Sequence, residues 1–200
     1  ADVRTPPKMS RAATVKDVPA GPFIKSLAAH FKDGGQMEVP DFAEYIKTAP
    51  FKELSPYMYN QDWYFVRAAS IARKIYLFEG MGVGGLAKVY GGRAQRGTRK
   101  AHYKRAARGV IRHILKQLGE MKIVSTEKYT NLKEKKRLDA KKEKGRYITA
   151  HGKRELDTIA KQLFNKLPRA EFYDIKYQEA KEEPMEDEVA EGEGEGEGEQ

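Results

Sequence analysis

The stretch from Asp62 to Glu79 constrains this chain more than any other, because a helix is what sorts its apolar residues from its cations. Phe65, Ala68, Ala69, Ala72 and Tyr76 recur at the 3.6-residue period and define a core face. Trp63, Arg67, Ser70 and Lys74 fall in one narrow stripe on the opposite side, and Arg73 borders it. Asp62 is a good N-cap residue for such a helix. The pattern predicts a helix that buries small residues and aims a tryptophan and several cations at a partner.

Most of the remaining chain also has a helical period. Phe23, Leu27 and Phe31 share a face over about 22–32, and Gly34-Gly35 stops that helix. Pro40-Asp41 opens a short helix that sets Phe42 and Ile46 inward. Residues 49–61 read as an irregular connection. A basic loop, Arg93 to Lys104, leads into a helix over about 103–118 with Ala107, Val110, Ile111, Ile114 and Leu118 inward; Gly119 ends it. Arg105, Arg108, Arg112 and Lys116 line its outward face. Residues 121–124 and 146–149 have the pattern of paired strands, separated by the charged stretch 127–145. A last helix over about 151–164 turns Leu156, Ile159, Ala160 and Leu163 inward. The expected fold class is mainly α: a helical bundle with a small β-hairpin, winged-helix-like. The expected organisation is an extended arm over 1–18, a winged-helix-like domain over 19–168 with a charged wing loop at 127–145, and a disordered acidic tail over 169–200.

Charge is divided along the chain. The net charge is +9, yet residues 179–200 hold eleven acids against one base, Lys181. Without that segment, 37 bases stand against 18 acids, a net of +19. From Met81 to Val124 there are eleven bases and a single acid, Glu120. Such an excess answers a polyanion, since each neutralised phosphate releases condensed counterions. A solvated helix face mixes signs at i,i+4, and the face of Arg105, Arg108 and Arg112 does not. Arginine pairs bidentately with phosphate and aromatic rings stack on unpaired bases, so Trp63, Arg67, Arg73 and Lys74 form a second candidate RNA surface.

Other chemistries find no support. Gly80, Gly82 and Gly85 fit G-x-G-x-x-G, but a helical pattern precedes them and no acid follows until Glu120, against the dinucleotide fingerprint. The alternative is a turn needing positive φ. His30, His102, His113 and His151 lack metal-ligand spacing, and there is no cysteine, so no metal, cofactor or disulfide is expected. His30 is expected to be an ordinary packing or boundary residue. No acid, base or nucleophile stands in catalytic spacing, and no small-molecule substrate is expected. No stretch approaches the ~20 apolar residues that span a bilayer, and the first residues lack a signal peptide's apolar run, so no membrane association is expected.

These segments together resemble the archaeal and eukaryotic small-subunit ribosomal protein nineteen-e family. The resemblance is carried by Thr14-Val-Lys-Asp-Val18, Leu27-Ala-Ala, Val39-Pro40 and Lys52-Glu-Leu-Ser-Pro-Tyr57. Its most distinctive part is Asp62-Trp-Tyr-Phe-Val-Arg-Ala-Ala-Ser-Ile-Ala-Arg73, with Tyr90-Gly-Gly-Arg93, and Gly82-Val-Gly84 lies between them. His102-Tyr103, residues 114–124, Ile148-Thr-x-x-Gly152 and Leu156-Asp-x-Ile-Ala160 complete it, in order over about residues 14–164. It implies a helical domain in the head of the small subunit, bound to ribosomal RNA and beside neighbouring head proteins. It further implies a part in maturing the 3′ end of small-subunit RNA, with Trp63, Arg67, Arg73, Arg93 and Arg112 as functional residues. Cytoplasmic ribosomes, reached through the nucleolus, are the implied location. The insertion before Trp63, the longer wing loop and the acidic tail depart from the family pattern.

The expected RNA-binding set is therefore Trp63, Arg67, Arg73, Lys74, Arg93, Arg96, Arg105, Arg108 and Arg112 in a non-catalytic ribosomal protein. The alternative is a winged-helix DNA-binding regulator that lays the 103–118 helix in a major groove. A third class is a protein-binding adaptor that works through the acidic tail.

Overall fold

Ala68, Ala69 and Ala72 are fully buried, and the helix that carries them is the one on which the rest of the chain packs. The computed structural model describes residues 13–126 and 145–166. Helix α1, Ala20–Asp33, and a 3-10 turn at Asp41–Ala43 lead to a second 3-10 turn at Pro56–Met58. Helices α2, Trp63–Leu77, and α3, Val83–Val89, follow. An antiparallel hairpin, β1 Gly92–Arg96 and β2 Arg99–Lys104, runs into α4, Arg108–Glu120. Strands β3, Val124–Ser125, and β4, Tyr147–Ile148, pair antiparallel, and α5, Ala150–Lys166, closes the domain. The described order α4, β3, β4, α5 fits the winged-helix-like arrangement expected from the sequence, in a mainly α domain.

Helix α2 buries two adjacent stripes where the pattern showed one. Tyr64, Ala68, Ile71 and Ile75 form the second and are completely inaccessible. Tyr64 reaches α4, where its hydroxyl donates to Gln117 Oε1 at 2.7 Å. From the first stripe Tyr76 donates to Asp157 Oδ1 of α5 at 2.8 Å. Asp157 also accepts from the backbone N–H of Val15 at 3.3 Å. Val15 and Val18 are buried, and Thr14 N and Oγ1 donate to Asp17 Oδ2 in a local turn. The described end of the expected arm, residues 13–18, is therefore part of the packed domain.

The Ile148-Thr-x-x-Gly152 segment has a clear physical role. Thr149 Oγ1 accepts from the backbone N–H of Gly152 at 2.9 Å, which caps the first turn of α5. The same hydroxyl donates to Lys122 O at 2.6 Å. A Cβ at Gly152 would lie 2.4 Å from Ile123 O, so only glycine lets α5 start this close to the strand. Gly152→Ala is expected to lower stability by about 1–3 kcal/mol despite alanine's better helix propensity. Thermal melting should show a clear drop; an unchanged or raised midpoint would contradict this packing.

The segment Arg93 to Lys104, expected as a loop, is the β1–β2 hairpin. Gly97, at φ +64°, turns it, and a register shift falls between Ala94 and Arg96. All six residues of β2 are exposed, so no apolar alternation announces the strand. Helix α4 starts at Arg108, not Tyr103, because the strand holds residues 99–104. Gly119 lies inside α4, whose C-cap is Met121. Phe42 and Ile46 are half-buried, and Ala43 between them is the inaccessible residue. His30 pairs with Glu155 at 2.9 Å. The wing loop up to residue 144, the arm before residue 13 and the acidic tail lie outside the described residues.

Candidate nucleic-acid interface

The stripe on α2 is organised by one ring. Arg67 lays its guanidinium over Tyr90 at 4.4 Å from the centroid, and Lys74 Nζ lies 5.7 Å from it. Ser70 Oγ and the Tyr90 hydroxyl are 2.7 Å apart. Burial pushes the Arg67 pKa down while Tyr90 pulls it back, and a guanidinium remains charged in proteins. Burial pushes the Tyr90 phenol up, partly offset by Ser70 and Arg67. Arg67, Arg73 and Lys74 are half-buried rather than fully solvent-facing. The buried Nε–H of Arg73 has no hydrogen-bond partner, and buried donors are seldom left so.

Trp63 does not share that surface. It is 6% exposed, and its Nε1–H donates to Ala43 O at 3.2 Å. The 3-10 turn Asp41–Ala43 covers the first turn of α2, so the expected base-stacking tryptophan is an anchor inside the domain. Trp63 and Tyr64 also meet edge to face, with centroids 5.9 Å apart. Asp62 sits at the N-cap position but makes no capping bond; its carboxylate accepts from Lys32 Nζ at 2.8 Å. Trp63→Phe should cost about 1–3 kcal/mol, because Ala43 O is left unpaired in a buried place. Chemical denaturation measures this; a loss under about 0.5 kcal/mol would show that the bond contributes nothing net.

Two further surfaces present cations openly. On the hairpin Arg93, Arg96, Arg99, Lys100 and Lys104 are exposed. Arg96 folds back, donating to Lys100 O from Nε at 3.1 Å and Nη2 at 2.9 Å, which stiffens the turn. Tyr103 donates to Lys88 O and so ties β2 to α3. Arg105, in the short connection after β2, and Arg108, Arg112 and Lys116 on α4 continue the exposed row. Ala106 N donates to Ala87 O at 3.0 Å and Ala107 N to Thr48 O at 2.8 Å, fixing that connection. Among the described residues the ion pair on this row is Lys116 with Glu120, at 3.9 Å.

The start of α4 is electrostatically unusual. Its first turn contains no acid, and Arg108 opens it with Arg105 just before. Cations at the positive end of a helix dipole are unfavourable until an anion arrives. Tyr90 lies three positions before Arg93, so the α2 stripe adjoins the base of the hairpin. Gly80, at φ +78°, is the positive-φ turn expected in place of a dinucleotide loop.

Sequence patterning did not show Tyr90 as the organiser of the α2 cations, because a half-buried tyrosine next to glycines carries no periodic signal. It also did not show the polar chain that joins α2 to α4. Gln117 Nε2 donates to Glu38 O at 2.8 Å, and the Tyr64 hydroxyl lies between Gln117 Oε1 and His113 Nδ1, the latter at 2.8 Å.

Together these features define a basic winged-helix-like domain whose exposed chemistry is a row of cations. A family model described as ribosomal protein S19e matches residues 14–166. The chain is 46% identical to small ribosomal subunit protein eS19 of Oryza sativa subsp. japonica, over 76% of this chain and 92% of that protein. It is 42% identical to the protein of that name from Myxine glutinosa, over 75% and 92%. With the one from Argopecten irradians it shares 41% identity, over 76% and 95%. The chain belongs to the ribosomal protein S19e family, a family of ribosomal proteins and not of enzymes.

Proposed function

We propose that this chain is a structural constituent of the small ribosomal subunit, seated in its head and bound to ribosomal RNA beside neighbouring head proteins. The carrying observation is the row from Arg93 to Lys116, which holds nine cations and no acid. Arg93, Arg96, Arg105, Arg108 and Arg112 take phosphates along that row. Arg67, Arg73 and Lys74 extend the contact at the base of the hairpin. Trp63 holds the α2 end in place from inside. The family resemblance adds a role in subunit assembly and 3′-end maturation of small-subunit RNA, on cytoplasmic ribosomes after passage through the nucleolus.

Arg67 stacked on Tyr90 and Arg96 bonded to Lys100 O are ordered before binding, which favours a structured RNA over a flexible polyanion. Competition for the full-length chain between transcribed small-subunit RNA and duplex DNA of equal length tests this. RNA should displace DNA at moderate salt. Equal competition by DNA would overturn the reading in favour of a general polyanion binder.

A further inference from the structure

An open cavity of about 320 Å³ lies where the 3-10 turn at Asp41–Ala43 meets α4. Phe42, Ile46 and Val110 give it an apolar floor, His113 forms a wall, and Arg112 and Lys116 stand at its rim. The Phe42 and His113 rings meet edge to face, 5.4 Å apart at 89°. Arg112 and Lys116 belong to the exposed cationic row, so any phosphate bound there brings its own nucleotide to the cavity mouth.

The polar chain behind His113 settles which of its nitrogens is left without a partner. Glu38 O accepts from the Gln117 amide, which fixes Oε1 as the atom toward Tyr64. The Tyr64 hydroxyl spends its proton on that oxygen at 2.7 Å. Its oxygen must therefore accept from His113 Nδ1–H, 2.8 Å away. In the neutral imidazole Nε2 is then the bare acceptor, and it has no partner among the described residues. An almost wholly apolar cavity, lined in part by a ring with one unpartnered acceptor and flanked by two cations, matches the face of a base with an attached phosphate.

We propose that this cavity receives an unpaired nucleobase of the bound RNA, with its phosphate on Arg112 and Lys116 and a base N–H on His113 Nε2. The proposal rests on the RNA-binding reading above and adds a base-dependent contact to a phosphate-dependent one. Sequence-tolerant base contacts of this kind are worth about 1–3 kcal/mol, or about fivefold to a hundredfold in affinity.

Gly109 provides a clean test. It lines the cavity, and a Cβ there meets nothing within 4 Å, so Gly109→Leu fills the space without a clash at its first atom and with better helix propensity. The full-length chain and the variant, both checked by circular dichroism, are titrated with a short single-stranded adenosine oligomer and with its abasic counterpart. Removing the bases should weaken the unmodified chain about tenfold and leave Gly109→Leu unchanged, while both proteins keep the same salt dependence. Equal affinity of the unmodified chain for the two oligomers, with strong salt dependence retained, would overturn the base pocket and leave phosphate binding standing. So would an unaltered base dependence in Gly109→Leu. Binding without salt dependence would instead overturn the RNA reading itself.

Discussion

Ala69→Glu is expected to unfold the domain. Ala69 has no accessible surface and sits between the equally buried Ala68 and Ala72 on α2, the helix shared by α1, α4 and α5 through its two buried stripes. A carboxylate there has neither water nor a cation, and its effective burial cost is several kcal/mol. Domains of this size hold only about 5–15 kcal/mol in total, and the longer side chain also overpacks the site. The variant should lose its cooperative thermal transition and its near-ultraviolet signal. Ala69→Ser, close in size, should melt well below the parent yet still cooperatively. If Ala69→Glu melts within a few degrees of the parent, α2 is not the central helix of the core.

The buried side of α2 was legible because five residues recur at the helical period; the structure buries Phe65, Ala68, Ala69 and Ala72 and half-buries Tyr76. Its other side was harder to read. Trp63, Arg67, Ser70 and Lys74 do lie on one stripe, but a sequence stripe says nothing of what covers it. The 3-10 turn covers Trp63 through Ala43 O, and Tyr90 half-covers the rest. Ala43 lies between the two residues that the short helix pattern turned inward, and Tyr90 ends a helix too short to show a period. The β1–β2 hairpin stayed hidden for a related reason: with both of its faces near solvent, no apolar alternation exists to mark it. The row on α4 was legible because its inward residues set the phase of the helix and its outward positions carry one sign of charge. Arg108 and Arg112 are exposed, as that phase required, and Arg105 is exposed in the connection just before the helix.

Reversing that row gives the second large effect. In Arg105→Glu, Arg108→Glu, Arg112→Glu all three positions are exposed, so each change should alter stability by only about 0.5 kcal/mol. A glutamate in the first turn of α4 even complements the helix dipole. RNA binding should respond very differently. Each lost phosphate contact removes about 0.9 from the slope of log affinity against log salt, and each new carboxylate repels the backbone. Affinity for structured small-subunit RNA should fall about a hundredfold or more at low salt, with a visibly shallower salt dependence. An equal loss of affinity and of melting temperature would mean that the row is structural.

The same variant gives the most direct measurement of the central claim, that this exposed row seats the chain on the small subunit. Tagged parent and triple variant are expressed at equal levels, and extracts are resolved by sedimentation after a moderate salt wash. The parent should co-sediment with small subunits almost entirely, and the triple variant, folded by circular dichroism, should remain near the top of the gradient. A parent found mostly free or on chromatin would contradict the account, as would a triple variant that travels with small subunits as the parent does.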